Sequence, residues 1–220
     1  MIVAIDGPAG SGKGTVTREI AKRMGLINLD TGATYRCVAL MCVRKGITLD
    51  RQDEITSLID DLDIEFEYVD NSIKVFLNGE DVTSEIRSAE VSKIVSQVSS
   101  IVPVRLKMVE LQRKMASGKD VIMEGRDIGT YVFPNADVKI YLDADIEERA
   151  RRRYKENKEK GINMTYEEIL SNIKIRDEND KHKEIGSLKI ADDAVIVDST
   201  NLSIEEMANE VEKIIVSKKK

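Results

Sequence analysis

The chain has 220 residues, with 34 Lys and Arg against 40 Asp and Glu and a formal net charge of −6, a balance that argues against general nucleic-acid binding. It is long enough to bury a full core as one domain with mobile or inserted parts, holds no apolar run of membrane-spanning length, and has no apolar leader before its first predicted strand. Two cysteines, Cys37 and Cys42, lack a CxxC or CxxH companion and read as buried thiols of a reducing cytoplasm. The sole histidine, His182, lies amid charged residues and leaves little room for imidazole chemistry.

The first predicted element is the apolar run Ile2 to Ile5, a buried strand bounded by glycines. It leads into "GPAGSGKGT", Gly7 to Thr15, after which Val16, Ile20, Ala21 and Met24 fall at helical spacing. Gly7, Gly12 and Lys13 thus match the phosphate-loop spacing G-x-x-x-x-G-K on a strand-to-helix turn. There backbone N–H groups wrap phosphate oxygens, the helix points its positive end at them and Lys13 reaches the β and γ phosphates. The residue after Lys13 is Gly14, and the hydroxyl comes one place later, on Thr15.

A strand is predicted at 26–29, then a helix at 31–44 opened by Thr31 as its cap. Residues 62–86 alternate apolar and polar, with turn signals at Asp70-Asn71 and Asn78-Gly79, and read as a small antiparallel β insertion. Helix 103–117, strands 121–124 and 138–142, helices 146–160 and 165–181, strand 194–198 and helix 203–217 complete the series, followed by a lysine tail at 218–220. Strands alternating with helices imply a parallel sheet covered on both faces, with ligands at the strand carboxyl ends.

Two charged segments stand out. Arg149 to Lys160 carries seven basic residues against two acidic ones, and Arg149, Arg152 and Arg153 share a helical face at i, i+3, i+4. A solvated face is the plain alternative, but a phosphate loop elsewhere in the chain supplies a polyanion to neutralise, and Gly161 is a candidate hinge. In "KIRDENDKHK", Arg176, Asp180 and Lys183 fall at i, i+4, i+7, and a ligand contact is favoured over a surface pair because arginine N-terminal to the acid is the weaker orientation.

With these pieces placed, the sequence resembles the bacterial cytidylate kinases along essentially its whole length. The resemblance rests on "GPAGSGKGT", "LDTGATYR" (29–36), "LNGEDVTSEIR" (77–87), "SQVSSIVPVR" (96–105), "EGRDIGTYVFPNADVKIYLDA" (124–144) and "RDENDKHK" (176–183), and the GKGT variant is itself similar to that of nucleoside monophosphate kinases. It implies an α/β P-loop kinase fold: a five-stranded parallel sheet flanked by helices, a monophosphate-binding region with the antiparallel insertion, and a mobile lid. The implied organisation is a single kinase domain over 1–220, with core 1–30, 101–148 and 164–220, monophosphate-binding region 31–100 and lid 149–163.

The implied activity is transfer of the ATP γ-phosphoryl to CMP or dCMP, in pyrimidine nucleotide metabolism, by a cytoplasmic monomer without nucleic-acid or membrane partners. Carried over by position, Gly7, Pro8, Ala9, Gly10, Ser11, Gly12, Lys13, Gly14 and Thr15 bind ATP, and Lys13, Arg126, Arg149 and Arg153 act on the transferred group. Thr31 belongs to the CMP site, Arg36 and Arg126 hold the CMP phosphate, Ser96, Arg105 and Asp127 read the base, and Arg176 and Asp180 contact the sugar, with Arg176 also close enough for phosphate. Mg²⁺ bridges the ATP phosphates through water with few protein ligands, Thr15 being the one candidate. Lys183 stands where the family pattern has arginine; lacking the bidentate fork, it is left outside the site.

Other readings are a UMP or AMP kinase, a GTP-binding switch and an RNA-binding protein. The second is opposed by the lack of an NKxD motif, and the third by charge and by only three Phe and six Tyr, too few to interleave a basic patch with stacking rings.

Overall fold

A computed structural model of the chain describes residues 1–69 and 72–218. The turn expected at Asp70-Asn71 and the last two residues of the lysine tail lie outside the described residues. In chain order the elements are β1 (Ile2–Asp6), α1 (Lys13–Met24), β2 (Ile27–Asp30), α2 (Thr31–Lys45), α3 (Gln52–Ile59), β3 (Ile64–Val69), β4 (Ser72–Leu77), β5 (Glu80–Asp81), α4 (Ala89–Val98), α5 (Val102–Ala116), β6 (Val121–Gly125), β7 (Val138–Asp143), α6 (Ile146–Glu159), α7 (Tyr166–Lys181), β8 (Val195–Asp198) and α8 (Ile204–Lys218). They fall into two compact units, Met1–Leu29 with Ala116–Lys220, and Asp30–Met115.

The first unit carries a five-stranded sheet of order β2-β6-β1-β7-β8. β1 runs parallel to β6, with Ile2 opposite Val121 and Asp6 opposite Gly125, and parallel to β7, which is in turn parallel to β8. Strands buried on both faces need apolar residues throughout, which is why "IVAI" and "VIM" run without alternation. Val3, Ile5, Ile122, Ile140 and Leu142 form its core with Val16 and Ile20 of α1 and Met207, Val211 and Ile215 of α8. A smaller apolar cluster, Ala150 with Ile169 and Ile173, joins α6 to α7.

The second unit holds the predicted insertion: β3, β4 and β5 form an antiparallel sheet, with Phe66 opposite Val75 and Phe76 opposite Asp81. Helix α2 is buried almost all round, and Val38 and Leu40 pack with Ile55, Ile86, Val91, Val98 and Met108. Cys37 and Cys42 lie in this core as free thiols, and burial pushes the Cys37 thiol up to about 12, so it stays protonated and inert.

Three details depart from the sequence reading. The cap of α2 is Asp30, whose Oδ1 accepts the Ala33 N–H at 3.2 Å, and Thr31 is the first helical residue instead; both residue types cap well, and the chain turns one position earlier. Helix α1 starts at Lys13, ahead of the helical spacing that the apolar residues show after Thr15. Helices α3 and α4 were not anticipated, although Val91, Val95 and Val98 do bury one face of α4.

Candidate active site

The phosphate loop follows β1, and Gly7 is required there because a Cβ on it would fall 2.1 Å from the Leu142 carbonyl oxygen. Helix α1 then opens behind Gly12, which sits in the left-handed region at φ 94°, with no side-chain cap and no acidic residue in its first turn among the described residues. Its first amides are therefore directed at the loop, an arrangement that favours an anion. Lys13 is 4% exposed, and its Nζ donates to the Pro8 carbonyl at 2.7 Å and to Ser11 Oγ at 3.3 Å. Burial pushes its pKa down to about 7, with the positive charge of Arg126 adding to the effect and Glu124 opposing it.

At the carboxyl end of β6, Arg126 Nε donates to Asp180 Oδ2 at 2.7 Å, and Lys183 Nζ reaches Asp180 Oδ1 at 2.9 Å. Burial alone would raise the Asp180 pKa, but Arg126, Lys183 and Arg176 together hold it well below the usual carboxylate range. The same carboxylate keeps Arg126 charged against burial. Lys183, left out on the sequence, is thus a member of this cluster, its side chain only 6% exposed. The i, i+7 spacing with Arg176 was the signal; residue type argued the other way.

The three arginines expected on one face of α6 separate. Arg149 is buried, and its guanidinium donates to Asp177 Oδ2 at 2.6 Å, to the Ala144 carbonyl at 2.9 Å and to the Ala9 carbonyl of the phosphate loop at 3.0 Å. Arg152 binds Glu148 and the Ser199 carbonyl. Arg153 is exposed and pairs with Glu156 at 3.0 Å. Asp127 is buried beside Asp6, where its charge acts on that carboxylate.

The second unit carries Thr31, Arg36, Ser96 and Arg105. Arg36 donates to the Ile86 carbonyl at 3.3 Å and to Ser92 Oγ at 3.1 Å. Arg105 is buried, donates to the Ser99 carbonyl at 3.2 Å, and places its guanidinium carbon 5.4 Å from the centre of the Tyr35 ring, close enough for a cation–π contact. Tyr35 was not singled out on the sequence, although it adjoins Arg36. Ser96 Oγ is buried without a hydrogen-bond partner among the described residues.

Compared with known families, the chain matches the cytidylate kinase family over residues 3–217, almost its whole length. The chain belongs to the cytidylate kinase family. A cytidylate kinase of Caldicellulosiruptor bescii is 47% identical over 209 residues, covering 95% of this chain and 92% of its own. A cytidylate kinase of Lactobacillus johnsonii is 47% identical over 220 residues, covering 100% and 96%. A crystal structure of a protein from Eubacterium ventriosum, 12% identical, covers 99% of both chains at a TM-score of 0.53, a likeness of fold alone. As expected of a cytidylate kinase, the chain has an α/β fold built on a phosphate loop and a five-stranded parallel sheet. No helix among the described residues is long and apolar enough to cross a membrane.

Proposed function

We propose that this chain transfers the γ-phosphoryl of ATP to CMP or dCMP, giving ADP and CDP or dCDP, as a cytoplasmic monomer. The observation that carries this reading is the pairing, within one unit, of a phosphate loop and buried Lys13 with the Arg126–Asp180–Lys183 cluster. The acceptor is an anionic phosphate oxygen that needs no general base, so the protein's task is to position and neutralise. That agrees with the placement of His182, exposed and bonded to the Glu178 carbonyl.

The loop amides and Lys13 hold the donor phosphates, while Arg126 and Arg36 hold the acceptor phosphate. Arg176 and Asp180 take the sugar, and Ser96, Arg105 and Asp127 take the base. Residues 149–163 act as a lid, with Arg149 and Arg153 reaching the transferred group on closing and excluding water.

Mg²⁺ suits the donor set: no cluster of three His, Cys, Asp or Glu side chains occurs among the described residues, and this ion keeps most of its waters beside phosphates, needing one or two protein oxygens. The Glu124 carboxylate occupies the space that a Cβ on Gly14 would fill, so Glu124 and the Thr15 hydroxyl are the groups that would hold the ion or its waters. Its chemistry would be to bridge and neutralise the ATP phosphates. A coupled ADP-release assay against CMP, dCMP, UMP and AMP tests the function. Turnover with CMP and dCMP well above UMP and AMP is expected, and a preference for AMP or UMP refutes the substrate assignment.

A further inference from the structure

Asp6 ends β1 and directly precedes Gly7, and its side chain reaches two backbone amides more than a hundred residues further along the chain. Its Oδ1 accepts the Ile128 N–H at 2.8 Å and its Oδ2 accepts the Gly129 N–H at 2.7 Å, and the residue is only 5% exposed. These two amides open the wide helical turn Ile128–Val132. Inside the turn, the N–H groups of Tyr131 and Val132 go to the Asp127 carbonyl and that of Phe133 to the Ile128 carbonyl. The opening amides of a helical turn have no partner within it, and here a carboxylate from a neighbouring strand takes both.

That fork is expensive to keep. Burial pushes the Asp6 carboxyl up to about 6; the two N–H groups and Lys13 oppose the rise, and Asp127 adds to it. A hydroxyl or a water would satisfy the amides without burying a charge, but neither offers two acceptor oxygens rigidly joined to the end of β1. The two residues just before the held amides are Arg126 and Asp127, and the residue just after Asp6 begins the phosphate loop. One side chain therefore ties the loop that faces the donor to the turn that presents Arg126.

We propose that Asp6 is a positioning residue for phosphoryl transfer: its carboxylate locks the Arg126–Asp127 turn in register with the phosphate loop and touches neither substrate. The inference rests on the reading of Arg126 as a phosphate-binding group, and its test separates the two. Asp6→Asn retains shape but sets an NH₂ against one of the two amides. Its ATP dissociation constant should stay within about twofold while kcat falls by about tenfold or more, since small misplacements of a reacting group carry costs of up to about a hundredfold.

The decisive measurement is the cycle with Arg126→Ala. If Asp6 acts through that turn, Asp6→Asn should cost less than about threefold in the Arg126→Ala background, because coupled residues are not additive. Equal losses in both backgrounds, or ATP affinity falling in step with kcat, overturn the proposal. Full activity of Arg126→Ala overturns the reading of Arg126 and, with it, the reason for the lock. If Asp6→Asn does not fold, Asp6→Glu takes its place in the cycle, since it keeps both acceptor oxygens but shifts the turn by one methylene, and the same outcomes decide.

Discussion

A Cβ on Gly14 would lie 2.7 Å from Oε1 of Glu124, closer than a carbon and an oxygen can stand. Most phosphate loops place a serine or threonine at this position to bind the metal; here a carboxylate from β6 has taken its volume. Gly14→Ser, which restores the commoner motif, should therefore lower turnover by about tenfold or more, because it displaces Glu124 from beside Lys13. Steady-state kcat as a function of Mg²⁺ concentration checks this, and unchanged turnover would mean that the space is not needed.

The buried Lys13 gives a proton signature. Its pKa is lowered to about 7, so between pH 7 and the unfolded value of 10.5 the unfolded chain holds a proton that the folded chain does not, and stability from this group rises with pH across that window. Phosphate bound beside it favours the charged form. ATP binding at pH 8 should take up a proton, seen as a dependence of calorimetric enthalpy on buffer ionisation, and Lys13→Ala should abolish the uptake. The same variant should lose about a hundredfold in turnover with its fold intact.

The phosphate loop, the five strands and the antiparallel insertion were legible because each depends on local spacing: glycines and lysine over nine residues, unbroken apolar runs, strict alternation. What was not legible depends on distant partners. Three arginines at i, i+3, i+4 look equivalent, and Asp177 on α7 and the Ala9 carbonyl, both distant in sequence, help select Arg149 for burial. Asp6 has no local signal at all, since its partners lie at 128 and 129. Lys183 was set aside for its residue type, yet a compact ammonium suffices for its bond to Asp180.

Asp180 should make the fold acid-sensitive. Its folded pKa lies below the unfolded value, so its contribution is fully present above the unfolded pKa of 3.8 and is lost as pH falls below it. Asp180→Asn leaves Arg126 and Lys183 buried without their counter-charge, and loss of one partner from a buried pair costs about 3–5 kcal/mol. Urea unfolding at pH 7 should show that difference. At pH 3 it should narrow, because the unfolded chain's carboxyl gains its proton there while the folded one stays ionised, and a pH-independent difference would place the effect in packing.

Arg149 and Arg153 should behave differently. Arg149→Ala strands the buried Asp177 carboxylate, and stability and turnover should fall together. Among the described residues Arg153 is bonded to its helix neighbour Glu156 at the surface, so Arg153→Ala should leave the melting temperature unchanged. If the lid closes on the transferred group, its kcat at saturating ATP and CMP should still fall by about tenfold or more; an unchanged kcat makes that face a solvated one.

The base preference should rest on a carboxylate. Cytosine presents an N4 amino donor where uracil presents an O4 acceptor, so an Asp127 carboxylate at the base would accept from the first and repel the second. Asp127 is buried, and in a closed, water-poor site UMP would set its O4 acceptor against that carboxylate, which is a penalty against the wrong base as much as a reward for the right one. Asp127→Ala should thus cut kcat/KM for CMP strongly and that for UMP much less, narrowing the preference by about 1–3 kcal/mol. Asp127 also bears on Asp6 and on the turn that holds Arg126, so a structural contribution would reduce both substrates alike. Equal proportional losses for CMP and UMP would move base reading to Ser96, whose Oγ is buried and open to a partner, and to Arg105, and the CMP-to-UMP ratio of a Ser96→Ala variant would then carry the discrimination.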